Sequence, residues 1–262
     1  MTTDKKRVVF ITGVSSGIGR ATALTFAQDG YYVIGTARRI DRLESLTQEI
    51  ATLTGADDKF LALAVDVTDR DAMQAAVQQT MQHFGRLDVL VANAGIGQRG
   101  SIADSEWDDI ERLLRTNIDG VIHTLQAGIA ALQLSGGGHI FTISSVMYNL
   151  PAPFAASYAA SKAFVSSLAQ SLRIELENEN IRVTDVLVGR TYTEFNEKRL
   201  GAGKRTGGSL PTMQPKQVAE GILKATQHNQ RRLILRPFDR LIVLGNKFVP
   251  MIMGQLAKRQ YR

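Results

Sequence analysis

The 262-residue chain contains no cysteine, which excludes disulfides, thiolate metal sites and a cysteine nucleophile. Its four histidines, His83, His123, His139 and His228, are scattered without ligand spacing. They read as surface or capping residues, and no metal is expected. Long apolar runs are also missing: nothing approaches the roughly 18 uninterrupted apolar residues that a membrane-spanning helix needs. The opening stretch, MTTDKKRVVFITG, lacks a long apolar region and a small-residue cleavage site. It reads as a first strand and not as a signal peptide, so a cytoplasmic location is expected. Acidic residues are scarce at one end only. The net charge is +6, yet from Arg231 onward eight Lys/Arg face the single acid Asp239, which leaves the preceding residues near neutral. The basic character belongs to a C-terminal extension, and no nucleic-acid partner is expected for the whole protein.

What the chain does have is an ordinary globular composition, 44% apolar and 21% charged, at a length that can bury a substantial core. Short β-branched runs at 7–12, 31–37, 60–67, 87–94, 138–145, 181–188 and 232–236 alternate with segments of helical periodicity at 18–29, 41–52, 69–84, 106–132 and 157–179. Strands apolar on both faces and separated by helices indicate an α/β fold with a parallel sheet covered on both sides. The alternation runs without a linker, so residues 1–236 are expected to form one domain, with a Gly- and Lys/Arg-rich lid at 194–212. Residues 237–262 read as a basic amphipathic helical extension, with Pro237 and Pro250 each suited to a helix start.

The first strand runs into FITGVSSGIGRATA, where Gly13, Gly17 and Gly19 are spaced G-x-x-x-G-x-G. With Ser15, Ser16 and Ile18 they form a turn small enough for backbone N–H groups and a helix N-terminus to approach a pyrophosphate. The second strand ends in GTARR. A carboxylate there would bind the ribose 2′-hydroxyl of NAD; Arg38 and Arg39 suit a 2′-phosphate instead, which makes NADP(H) the expected cofactor. Asp66, beside Val67, is placed to accept from an adenine amino group, and Asn93, Ala94 and Gly95 are small enough for close approach of a ribose. In YAASK, Tyr158 and Lys162 stack one turn apart on a single helix face.

TGxxxGxG, NAG and YxxxK in this order resemble the short-chain dehydrogenase/reductase family over about residues 6 to 236. The resemblance implies a single-domain, Rossmann-type doubly wound parallel sheet of about seven strands, and hydride exchange between a nicotinamide and an alcohol/carbonyl pair. It also implies a catalytic tetrad of Asn117, Ser145, Tyr158 and Lys162. Ser145 is preferred over Ser144 because it lies thirteen residues before the tyrosine. Reduction of a carbonyl needs an acid beside the oxygen. Lys162 is expected to lower the phenol's pKa from about 10, Ser145 to share the developing charge, and Asn117, kinking its helix, to hold a water leading to solvent. Tyr158 and Lys162 are also expected at the cofactor. One departure stands out: Val188 replaces the family's proline before Gly189, while Thr191 and Thr193 remain available to the nicotinamide carboxamide.

Val146, Met147, Pro151, Phe154, Tyr192 and Phe195 point to a lipophilic small-molecule substrate, whereas Lys198, Lys204 and Arg205 in the lid would attract an anionic group. A homodimer or homotetramer is expected by resemblance. The C-terminal extension suits lid or subunit packing ahead of peripheral membrane contact. The alternative to an enzyme, a non-catalytic NADP(H)-binding regulatory protein, would have a damaged tetrad.

Overall fold

The computed structural model describes residues 6–201, 212–249 and 251–255. Its centre is a parallel seven-stranded sheet made of β1 (Val8–Thr12), β2 (Tyr32–Ala37), β3 (Phe60–Ala64), β4 (Val89–Ala92), β5 (Gly138–Ser145), β6 (Ile181–Val188) and β7 (Arg232–Leu233), in the order β3-β2-β1-β4-β5-β6-β7. The two-residue pitch of a strand divides the core in two. In β1, Val9 and Ile11 join one apolar cluster, while Val8 and Phe10 join the other. On the first face lie α1 (Gly17–Gln28), α2 (Ile40–Thr54) and α7 (Pro215–Ala225), represented by Phe26, Leu46 and Ile222. On the second lie α3 (Arg70–Phe84), α5 (Gly120–Leu134) and α6 (Ala156–Glu175), represented by Met73, Leu125 and Val165. All five β1 residues are buried, as required of a strand covered on both sides.

The structure departs from the sequence reading in four places. The helix expected over 106–132 is broken: α4 (Trp107–Leu114) passes through a π-helical turn at Arg115–Asp119 before α5 begins. The turn is where Asn117 sits, so the kink is real and local. Helix α7 was not among the expected segments, although Pro215 at its first position and buried Val218, Ala219, Ile222 and Ala225 mark it. His139 is not a surface residue. It is 1% exposed, bonded to Thr184 and stacked on Phe141, and burial pushes its pKa down to about 3, so it stays neutral. Finally, β3 ends at Ala64, which leaves Asp66 and Val67 in the following loop.

Helix α8 (Pro237–Phe248) begins at the expected proline, and 251–255 are again helical, whereas Pro250 lies outside the described residues. Val243 of α8 packs on Val146 and Leu187, and Phe238 and Ile242 face the crevice above the sheet. This helix is therefore a wall of the domain's main cavity. No helix among the described residues is long and apolar enough to cross a membrane.

Candidate active site

Strand order reverses between β1 and β4, and an open α/β sheet forms its ligand crevice at such a point. Here the crevice measures about 570 Å³ and is lined by the glycine loop, the ends of β4 and β5, Tyr158, Lys162 and the segment after β6. The glycines are required by contact. Gly13 has φ +75°, and a Cβ on it would lie 2.9 Å from the Cα of Ala94. A Cβ on Gly19 would collide with the carbonyl oxygen of Gly13 and the amide of Asn93. Ser16 opens α1 without a side-chain cap, leaving the helix's first N–H groups to an anion. Asn93 braces this loop from below, its Nδ2 donating to the Thr12 carbonyl at 2.7 Å. A Cβ on Gly17 would lie 3.0 Å from Thr193, so the segment after β6 closes over the loop from the opposite side.

The two arginines take different directions. Arg38 pairs with Asp66 at 3.3 Å on a half-exposed surface. Arg39 turns into the loop and donates to Ser15 Oγ at 2.9 Å and Ser16 Oγ at 3.1 Å. Burial pushes the Asp66 carboxyl up, but bonds from the Thr68 amide and hydroxyl and the Arg38 charge outweigh it, so its pKa ends below the ordinary value. Glu194, just past β6, gathers three cations: Arg39 at 3.2 Å, Arg42 at 3.5 Å and Lys198 at 2.6 Å. Lys198 and Arg39 hold its carboxyl down to about 2. The sequence reading did not include Glu194. No local pattern marks it, because its partners come from α2, the residue before it and its own turn.

All four tetrad residues converge. Asn117, fully buried, clamps the main chain of Ile96: its Oδ1 accepts from Ile96 N at 2.9 Å, and its Nδ2 donates to Ile96 O at 3.0 Å and Ser161 Oγ at 3.1 Å. The clamp holds Gly95 in place, where a Cβ would lie 3.4 Å from Lys162 Nζ. Ser145 ends β5; its Oγ donates to Val188 O at 3.3 Å and accepts from Met147 N at 3.2 Å, and it lines the crevice together with Tyr158. Lys162 is 4% exposed, donates to Ile143 O at 2.8 Å, and has its Nζ 6.0 Å from the centre of the Tyr158 ring.

Burial pushes the Tyr158 phenol up to about 12, opposed by the Ser145 hydroxyl. Burial likewise pushes Lys162 down to about 8, opposed by the charge of Asp185.

Thr191 donates to the Gly189 carbonyl at 3.1 Å, and Thr193 Oγ accepts from Phe195 N at 3.3 Å. The sequence reading placed Gly189 at the cofactor but missed what lies behind it. A side chain there would collide with the Asp239 carboxylate, which is 1% exposed and paired with Arg236 at 2.7 Å. Asp239 was the sole acid of the basic tail, and that was the available signal. Lys204 and Arg205 of the expected lid lie outside the described residues.

A family model for short chain dehydrogenases matches residues 7–202. The chain belongs to that family. It is therefore an oxidoreductase of the short-chain dehydrogenase type with a Rossmann-like fold. It is 32% identical to dehydrogenase/reductase SDR family member 7B of Bos taurus, over 98% of this chain and 82% of that one. It is also 32% identical to glycine betaine reductase ATRR of Emericella nidulans over 90% of this chain, which spans only 19% of that longer protein. Among solved structures, the alcohol dehydrogenase of Thermococcus sibiricus complexed with 5-hydroxy-NADP is 28% identical with a TM-score of 0.77, covering 88% of this chain and 96% of that one. A short-chain dehydrogenase of Mycobacterium paratuberculosis bound to NAD is 26% identical with a TM-score of 0.73, covering 87% and 95%.

Proposed function

We propose that the protein is an NADP(H)-dependent oxidoreductase that interconverts a carbonyl and an alcohol, with Tyr158 as the proton donor and acceptor. The observation that carries this reading is that Ser145, Tyr158 and buried Lys162 line the same crevice as the glycine loop, with Lys162 beside Gly95. The residues fit a dinucleotide. Gly13 and Gly19 leave a cradle that any Cβ would fill, and the α1 N-terminus is uncapped. Gly17, Ile18, Asn93, Ala94, Gly95, Thr191 and Thr193 line the remainder of the same crevice, with Asp66 and Val67 at its adenine end. Arg39 with Ser15 and Ser16 forms a group of donors suited to a 2′-phosphate, and Arg38 flanks it.

When bound, the nicotinamide supplies or accepts the hydride. The chain's part is the proton. With its pKa near 12, Tyr158 keeps its proton across the neutral range and can donate it to a carbonyl oxygen becoming an alkoxide. Ser145, in the same crevice, can turn its hydroxyl from the Val188 carbonyl to donate a second hydrogen bond to that oxygen. Lys162 keeps a positive charge below about pH 8, which favours negative charge building on its neighbours. Asn117 fixes the strand end that faces the lysine and, by the family resemblance, supports a water path to solvent.

Phe195, edge-on to Tyr158 at 5.7 Å, and Met147, Phe238 and Ile242 support a lipophilic small-molecule substrate. Exposed Trp107, Leu134, Phe164 and Ile174 on α4, α5 and α6 support a homodimer or homotetramer built on those helices. The outer side of α8, with exposed Leu241, Leu244 and Phe248, suits subunit packing ahead of a peripheral membrane contact. A cytoplasmic location completes the reading.

The test is a screen of NADPH and NADH oxidation across aldehydes, ketones, quinones and acyl-chain carbonyls. Turnover with at least one carbonyl, and a lower Kd for NADPH than for NADH, is expected. Equal dissociation constants would refute the NADP(H) preference, and binding without any turnover would favour the regulatory alternative.

A further inference from the structure

Asp185 lies in the middle of β6, IRVTDVLV, as the strand's only acid, and is 1% exposed. No step described above uses it. A lone carboxylate in a sheet interior is costly unless it is paired and hydrogen-bonded. Its partners come from both neighbouring elements. Ser144 Oγ of β5, one residue before Ser145, donates to Oδ1. Ser166 Oγ of α6, one turn beyond Lys162 on the same helix face, donates to Oδ2 at 2.6 Å. Both serines are themselves buried.

Four groups therefore face Asp185: the hydroxyls of Ser144 and Ser166, and the cations Lys162 of α6 and Arg232 of β7. Burial pushes its carboxyl up and outweighs these four, which all act to bring it down, so its pKa ends above the ordinary carboxylate value. Lys162 in turn is faced by Tyr158 across its helix turn and by the Ile143 carbonyl that it bonds. Among the described residues, Asp185 is the acid whose charge acts on it. The carboxylate does not form a close ion pair with the lysine. It is anchored by two hydroxyls and acts on the ammonium at longer range. In a dry interior such a charge is weakly screened.

We propose that Asp185 is a positioning residue for the proposed proton-transfer site: the buried counter-charge that keeps Lys162 protonated beside the tyrosine, held in register by Ser144 and Ser166. The proposal rests on the reading of Tyr158 and Lys162 as the reacting pair. A merely structural Asp185, stitching β5 and β6 to α6, would affect stability and leave the lysine's titration alone.

The experiment titrates the side chain of Lys162 directly, by NMR of the full-length protein with isotope-labelled lysine, the signal being assigned by its loss in Lys162→Arg. No substrate or turnover enters this readout, so a wild type that reduces no carbonyl would defeat the proposed function while leaving this test intact. Asp185→Asn keeps the shape and removes the charge, and is expected to move the Lys162 midpoint down by about one pH unit, a tenfold change in its acid constant. An unchanged midpoint overturns the proposal. If Asp185→Asn does not fold, the triple variant Ser144→Ala, Asp185→Val, Ser166→Ala replaces the whole group by apolar side chains. It must show the same downward shift, and a wild-type midpoint in it overturns the proposal equally.

Discussion

The floor and the rim of the crevice are held in different ways. On the floor, the glycine loop, Asn117, Ser145 and Lys162 are fixed by hydrogen bonds to buried or part-buried main-chain groups: Thr12, Ile96, Val188 and Ile143. On the rim, Glu194 is held by ion pairs to Arg39, Arg42 and Lys198, all partly exposed. Bonds of the first kind are expensive to break, because a buried partner is left unsatisfied, whereas exposed ion pairs contribute little and weaken with salt. The floor is thus built to hold geometry, and the rim is built to exchange partners.

Substitutions on the floor should therefore have large effects. Tyr158→Phe removes the transferable proton and should lower turnover by roughly 10³-fold or more while NADPH binds with unchanged affinity, as read by fluorescence titration. Gly19→Ala forces a methyl group into the Gly13 carbonyl. Overpacking of this kind costs about 1–3 kcal/mol, so NADPH affinity should fall by about tenfold or more, together with a lower Tm. A floor that tolerated this change without loss would erase the contrast drawn here.

The next effect is on pH. Burial lowers the pKa of Lys162, so the ammonium is fully present below about pH 8 and is lost as pH rises through that value. Carbonyl reduction should hold its rate at neutral pH and decline above about pH 8, and a flat profile through that range would detach Lys162 from the step. The smallest effect belongs to the rim. Glu194→Gln frees Arg39 from a competing carboxylate and should tighten NADPH binding by about two- to fivefold at low salt, with the gain fading as salt is raised. A large, salt-independent change would mean that the rim is as rigid as the floor.

The same contrast explains what was legible in the sequence. Strands such as VVFIT are apolar throughout because both faces are buried, and the glycine loop and YAASK carry their spacing within a few residues. Those features follow from local geometry, and the structure has them where they were expected. The features that were missed depend on partners distant in the chain. Arg38 and Arg39 are equivalent in sequence, and only the packing of the loop sends Arg39 inward to Ser15 and Ser16. Glu194 acquires its role from α2, Asp185 from β5 and α6, and Asp239 from its place behind Gly189. Spacing puts Lys162 one turn from Tyr158 but says nothing of the Ile143 carbonyl, 19 residues away in the chain, that the lysine bonds.

The central claim is that the Tyr158 phenol supplies the proton in this crevice. Its most direct test is a single-turnover measurement of NADPH oxidation with wild type and Tyr158→Phe at saturating cofactor, using a carbonyl that the wild type reduces. The account expects a rapid loss of NADPH absorbance in the wild type and none on the same timescale in the variant, both proteins binding NADPH equally. Oxidation of NADPH by Tyr158→Phe at the wild-type rate would contradict it.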